Sequence, residues 1–174
     1  METRPQRVTV DRDTLAADDA FAAIEPVWWT ANIYGSPREY ESSLSPFSRA
    51  QRYLFAVQWY RAEVNNGGHD QFYSNSTGIV WRDALSGFEL LNLVEFATVL
   101  RESAKRLGGD PALDRTTRQA VLERLRPDFE DLDTRFYELE QSTNLDARML
   151  TFMREHPDEF EFDGMVNMPV RRGG

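Results

Sequence analysis

The apolar residues of this chain recur mainly at steps of three and four, which predicts amphipathic helices along most of its length. The clearest example starts near Ser45-Pro46 and places a set of apolar residues on one face: Phe47, Ala50, Leu54, Val57 and Val64, widened by Tyr53, Phe55, Trp59 and Tyr60. So broad a face is typical of a central helix that is contacted on several sides. Gly67 or Gly68 is expected to end this helix with a left-handed cap.

The same spacing predicts shorter helices on both sides of the central one. They cover residues 13–24, 80–87, 90–107, 116–125, 127–140 and 147–154, with a single helical turn over 70–74. Pro26 is expected to close the first of them, which places Trp28 and Trp29 in a loop. Acid and phenylalanine alternate over residues 159–162, and this pattern indicates a short extended segment.

These elements predict an all-α fold, a single compact domain of about six to eight helices with a short extended segment near the C-terminus. The domain is expected to span residues 13–164, between an N-terminal tail over 1–12 and a C-terminal tail over 165–174. A chain of 174 residues is long enough to bury a substantial core.

Composition excludes several kinds of chemistry. The chain has no cysteine, so disulfides, thiolate metal sites and a cysteine nucleophile are ruled out. Its two histidines, His69 and His156, lack a metal-binding spacing, and neither a phosphate loop nor a dinucleotide fingerprint occurs. The first ten residues lack the apolar core of a signal peptide, and the longest uncharged run, residues 26–37, is too short to span a bilayer. We therefore expect a cytoplasmic protein with no metal, cofactor or membrane contact.

The net charge of −9 is concentrated in one part of the chain. Residues 128–163, called here the acidic segment, contain twelve acids and three bases, so this segment alone accounts for the whole imbalance. Such a field repels nucleic acids and anionic membranes and attracts basic partners. A general contribution to solubility is the alternative explanation, and charge alone leaves both open.

Residues 63–78, called here the motif segment, combine two adjacent glycines, three asparagines, a glutamine, a histidine and two aromatics. The pattern is Asn66-Gly67-Gly68-His69-x-Gln71-Phe72-Tyr73-x-Asn75-Ser76-x-Gly78, and Asp83-Ala84-Leu85-x-Gly87-Phe88 follows it. Over about residues 45–140 the chain resembles the bacterial DNA-mimic protein family. His69 departs from the family pattern, in which an aromatic such as phenylalanine is more usual.

The resemblance implies a non-enzymatic protein whose surface carboxylates imitate duplex DNA. Its partner would be a basic DNA-binding protein such as a transcriptional regulator, and it would not bind nucleic acid itself. The acids expected to form the partner-binding surface are Asp128, Glu130, Asp131, Asp133, Glu138, Glu140, Asp146 and Glu155. An immunity-type protein that neutralises a basic toxin would share these electrostatics and remains an alternative.

Helical spacing places these acids on the sides of the predicted helix over 127–140. Asp128, Asp131 and Glu138 can share one side, and Glu130, Asp133 and Glu140 another. The stripe that remains for the core is Phe129, Leu132, Phe136 and Leu139. Carboxylates three or four residues apart lie about 5–6 Å from each other, not far from phosphate spacing.

Two interpretations of the motif segment remain open. In the first it is a structural corner: the glycines allow positive φ and a close approach, Asn66 and Asn75 bond local backbone, and Gln71 satisfies the last carbonyls of the central helix. Phe72 and Tyr73 then pack beneath. In the second, Asn66, His69, Asp70, Gln71 and Asn75 form a polar pocket for a small molecule or a reaction. A homodimer is also conceivable, because Trp28, Trp29 and Trp81 offer apolar surface.

Overall fold

A computed structural model describes residues 3–169 as nine α-helices, two short 3-10 helices and one two-stranded sheet. The elements are β1 Thr3–Val10, α1 Arg12–Ala16, α2 Glu25–Thr30, α3 Pro37–Ser43, α4 Arg49–Ser74, α5 Trp81–Leu90, α6 Val94–Arg106, α7 Arg115–Leu125, α8 Glu130–Ser142, α9 Leu145–Glu155 and β2 Phe162–Pro169. The 3-10 helices are Ser76–Val80 and Pro157–Glu159. The protein is mostly helical, as predicted, but has one helix more than the upper bound of the prediction and a sheet in place of the short extended segment.

Helix α4 lies at the centre of the fold and contacts α2, α5, α7 and α8. Most of its apolar side chains are buried, Tyr53 and Trp59 are half-buried, and the ring of Tyr60 meets Phe72, Phe88 and Phe136 edge-on. Trp59 stacks on Trp28 with 4.2 Å between the ring centroids. The broad apolar face read from the sequence therefore corresponds to contacts on several sides.

Gly67 and Gly68 interrupt this helix where its end was predicted, but Gly68, with φ 72 and ψ −174, does not adopt the left-handed helical conformation of the expected cap. The chain leaves helical geometry at both residues, which kinks α4, and then continues as helix to Ser74. The helix also starts later than predicted, at Arg49, because the Ser48 side chain accepts the backbone N–H of Gln51 while Gln51 bonds back to Ser48.

The predicted helix over residues 13–24 is wrong. Asp11 caps α1, which ends at Ala16. The Asp19 side chain then accepts the backbone N–H groups of Phe21 and Ala22, a local turn that competes with helix. Pro26 lies in the first turn of α2, where proline is tolerated, so Trp28 and Trp29 are helical and not in a loop.

The N-terminal segment predicted as a tail contains strand β1, and strand β2 runs from the end of the predicted domain into the predicted C-terminal tail. β1 pairs antiparallel with β2, from Thr3 opposite Pro169 to Val10 opposite Phe162, and the Arg7 guanidinium lies 2.6 Å from the Asp163 carboxylate. The predicted extended segment at 159–162 is largely 3-10 helix and turn, and the strand follows it. Residues 1–2 and 170–174, which include the end of the predicted C-terminal tail, lie outside the described residues.

The C-terminal helices agree best with the sequence. α7, α8 and α9 start and end within about three residues of the predicted bounds. Phe129, Leu132 and Phe136 are buried, and Leu139 packs partly buried against the core. The helix predicted over 90–107 starts later, at Val94, because the chain turns at Asn92, with φ 54, between α5 and α6. None of the described helices is both long enough and apolar enough to cross a bilayer.

Candidate functional site

The kink in α4 lets a carboxylate of α8 approach its backbone. Gly68 has φ 72 and ψ −174, a conformation that is essentially restricted to glycine. A Cβ atom on Gly68 would lie 2.3 Å from Asp133 Oδ2. Glycine is therefore required at this position both by the backbone and by the neighbouring side chain.

Asp133 and Tyr60 enclose His69 in a buried hydrogen-bonded chain. The backbone N–H of His69 donates to Asp133 Oδ1 at 2.9 Å, and the ring Nδ1 lies 2.5 Å from the same oxygen. Nε2 lies 2.7 Å from the Tyr60 hydroxyl, and burial raises the pKa of Tyr60, so this hydroxyl stays protonated and can donate. The His69 side chain is fully buried, which leaves its ring no access to a substrate.

The amides of the motif segment hold a second carboxylate, that of Glu63. Gln71 Nε2 donates to Glu63 Oε2 at 2.7 Å, and Asn75 Nδ2 donates to the same oxygen at 3.0 Å. Thr77 Oγ1 donates to Glu63 Oε1 at 2.9 Å. Gln71 therefore does not satisfy helix carbonyls as predicted; its own Oε1 accepts from Asn66 Nδ2. Phe72 and Tyr73 are fully buried, as predicted.

Arg118 of α7 holds the end of the motif segment in place through hydrogen bonds. It is 1% exposed, and its guanidinium donates to four backbone carbonyls, those of Tyr73, Asn75, Ala112 and Leu113. Burial lowers the pKa of Arg118 to about 10, which still leaves it cationic at neutral pH. A Cβ on Gly78 would lie 2.5 Å from Arg118 Nε, which explains the glycine there. No periodicity or motif in the sequence distinguishes Arg118 from the exposed arginines near it.

The five polar residues of the second interpretation do not converge on one open pocket. His69 is enclosed, and Gln71 and Asn66 bond each other. Asp70 is exposed and lines a cleft with Ser74 and Arg126, whereas Asn75 borders a different pocket. Within residues 3–169, no three His, Asp or Glu side chains are grouped so that they could hold a metal ion. This geometry favours the interpretation of the motif segment as a structural corner.

Four of the eight acids chosen from the sequence make hydrogen bonds or ion pairs with other side chains of the protein. Asp131 makes a bidentate contact with Arg106, with N···O distances of 2.6 and 2.7 Å, and this guanidinium lowers the pKa of Asp131 to about 2. Asp133 holds His69. Arg61 lies 3.0 Å from Glu140 and 2.8 Å from Asp146. These partners all come from α4 and α6, so the shortage of bases within the acidic segment is partly compensated by the fold.

The other four acids, Asp128, Glu130, Glu138 and Glu155, are exposed and make no ion pair with any described residue. Asp128 accepts the backbone N–H of Glu130 at the start of α8. Glu138 lines a shallow pocket between α6 and α8 together with Glu95 and Arg135.

Helix α8 presents the two predicted sides to different neighbours. Asp131 and Arg135 contact α6, through Arg106 and Glu102. Asp133, Tyr137 and Glu140 contact α4, and the Tyr137 hydroxyl donates to the Val64 carbonyl.

The tryptophans considered for a homodimer are partly used within the protein: Trp81 is buried, and Trp28 and Trp29 are half-buried. Homodimerisation stays a prediction.

Comparison with known proteins identifies one relationship. A protein-family model described as "DMP19-like protein" matches residues 45–156, well over half of the chain. The matched region runs from just before α4 to the end of α9 and includes the motif segment and helix α8. Neither a curated protein nor a solved structure gives a significant match.

Proposed function

Because the chain belongs to the DMP19-like protein family, we propose that it is a non-enzymatic DNA mimic that binds a basic DNA-binding protein and competes with the DNA of that protein. A transcriptional regulator is the class of partner that we expect. The observation that carries the proposal is the group of exposed carboxylates on α8 and α9, and just before α8, that lack a cationic partner among the described residues.

The chemistry of DNA recognition supports this assignment. Duplex DNA presents about one negative charge per 1.7 Å of axis, and its partners neutralise rows of phosphates with lysine and arginine. An exposed carboxylate without an internal partner can pair with such a residue at little cost. A carboxylate that already pairs with Arg61 or Arg106 would first have to break that contact.

We therefore divide the eight predicted acids by role. Asp128, Glu130, Glu138 and Glu155 would contact the partner directly. Asp131, Asp133, Glu140 and Asp146 would hold α8 and α9 in position against α4 and α6. This division makes the proposal testable without disturbing the fold.

A competition experiment tests the proposal. The immobilised protein is incubated with those proteins of its native cell extract that a DNA column retains, and bound proteins are eluted with rising salt or with duplex DNA. We expect a DNA-binding protein that duplex DNA releases, and whose retention falls steeply with salt. The triple variant Glu130→Gln, Glu138→Gln, Glu155→Gln should lose this retention at unchanged melting temperature.

The matched control neutralises three exposed acids outside the acidic segment: Asp13→Asn, Asp70→Asn and Glu123→Gln. It removes the same number of charges, and none of the three makes an ion pair with a described residue. We expect it to bind like the unsubstituted protein. If both triple variants lose retention equally, the binding depends only on net charge. If duplex DNA does not release the retained protein, the mimicry proposal is wrong.

A further inference from the structure

A pocket of about 240 Å³ opens beside the motif segment. Its lining includes Tyr34, Trp59, Glu63, Thr77 and Arg115, and none of its lining residues belongs to the acidic segment. Its volume lies below the range of roughly 300–1,000 Å³ that is usual for drug-sized ligands. The pocket therefore fits a small polar molecule and is distinct from the proposed protein-binding surface.

Glu63 supplies a negative charge to this pocket. It is 8% exposed, its three hydrogen-bond donors are all neutral, and no cationic group of the described residues lies within ion-pair distance. A buried carboxylate is normally paired with a cation, because desolvation of its charge is costly. Oε1 accepts only from Thr77, so one acceptor position remains there for a further donor.

Arg115 supplies donors to the same pocket, and Trp59 is one of the aromatic residues that line it. The Nε of Arg115 donates to the Ser74 carbonyl at 2.9 Å, while its two terminal nitrogens make no hydrogen bond with the residues described. The pocket thus combines one anion and one cation that make no contact with each other.

We propose that this pocket binds a free α-amino acid. The ammonium group of the ligand would donate to Glu63 Oε1, and its carboxylate would accept from the terminal nitrogens of Arg115. The side chain of the ligand would lie against the Trp59 ring and Tyr34, which is 81% exposed. In an α-amino acid the ammonium and the carboxylate are both attached to the α-carbon, so one small molecule offers a cation to Glu63 and an anion to Arg115. The proposal does not depend on DNA mimicry.

Nuclear magnetic resonance of the tryptophan side chains provides the test. The chain has four tryptophans, and Trp59→Phe identifies the indole N–H signal of Trp59. The twenty common L-amino acids are added one at a time at about 5 mM, enough to detect a Kd of about 1 mM. We expect at least one of them to shift the Trp59 signal, with little effect on the signal of Trp81, which is bonded to the Pro111 carbonyl.

Two comparisons show whether the pocket recognises both charged groups of the amino acid or only one of them. For the amino acid that binds best, its decarboxylated amine and its deaminated acid should each bind at least about tenfold more weakly, which corresponds to about 1.4 kcal/mol. Arg115→Gln should weaken binding by a similar factor, whereas Arg124→Gln, an exposed arginine of the same helix outside the pocket, should not. If no amino acid shifts the signal, or if the amine or the acid binds as well, the assignment is wrong.

Discussion

The motif segment and the acidic segment are both rich in polar residues, but these residues make different contacts. In the motif segment Gln71 and Asn75 bond Glu63 of the same segment, and His69 bonds Asp133 of α8. In the acidic segment half of the acids chosen from the sequence face solvent without a described cationic partner. A distinctive polar motif in a sequence can therefore serve to stabilise the fold, while a charged helix without such a motif carries the proposed function.

The two segments meet at Asp133. Its carboxylate belongs to α8, yet it bonds the backbone and the ring of His69 at the kink of α4. The motif segment thereby sets the position of the helix that displays the free acids. Substitutions in the motif segment should affect stability first, and substitutions of the free acids should affect binding alone.

The largest effect is expected at Arg118. In Arg118→Met four backbone carbonyls each lose the guanidinium as a donor, and that of Asn75 keeps the backbone N–H of Gly78. A buried acceptor without a partner costs about 1–3 kcal/mol, so we expect the free energy of unfolding to fall by at least about 3 kcal/mol. Urea unfolding measures it. The control Arg115→Met removes an exposed arginine with one backbone contact and should change stability by no more than about 1 kcal/mol. Similar losses in both would contradict a special role for the buried guanidinium.

A smaller loss is expected for Gly68→Ala. The substitution forces an L-residue into a conformation that costs about 1–3 kcal/mol, and it displaces the Asp133 carboxylate from His69. We expect a total loss of about 3 kcal/mol in the free energy of unfolding. Gly108→Ala is the matched control, because Gly108 also has positive φ, 95, but has no atom within 4 Å of the added Cβ. It should cost only the backbone term, about 1–2 kcal/mol.

The elements best predicted from the sequence are those determined by local pattern. α7, α8 and α9 carry capping residues or a single apolar stripe, and their bounds follow from these. Strand β1 was missed because tertiary context overrides the pattern there. β1 contains Pro5 and two arginines, Arg4 and Arg7, and it becomes a strand only beside β2, which lies about 150 residues later in the chain.

The site was predictable in part. The family could be identified from the motif segment, and the charge of the acidic segment could be counted. The sequence could not indicate which acids pair with Arg61 and Arg106, since these arginines lie between 25 and 85 positions away. Nor could it reveal that Asp133, chosen for its charge, is a partner of His69. Contacts of this kind depend on how the helices pack.

Substitutions of Asp133 and Glu138 compare an acid of α8 that is hydrogen-bonded within the protein with one that is exposed. Asp133→Asn weakens two hydrogen bonds to His69, so we expect the free energy of unfolding to fall by about 1–2 kcal/mol. Glu138→Gln should change it by less than about 0.5 kcal/mol. Chemical denaturation measures both, and a double-mutant cycle of Asp133→Asn with His69→Phe should show coupling. Independent effects in that cycle would remove the link between the two segments.

The smallest effect is a pH dependence carried by Asp131 at the exposed edge of α8. Arg106 lowers the pKa of this carboxyl from 3.8 to about 2, so its contribution to stability is present above pH 3.8 and is lost as the pH falls through 2. The difference in urea midpoint between the unsubstituted protein and Asp131→Asn should therefore be constant above about pH 5 and shrink steadily below about pH 4. Glu138→Gln, on the same side of the helix but without a described cation, should follow the unsubstituted protein over the whole range. A difference for Asp131→Asn that does not shrink in acid would mean that the Arg106 contact does not stabilise the fold, and Asp131 would then join the free acids of the proposed binding surface.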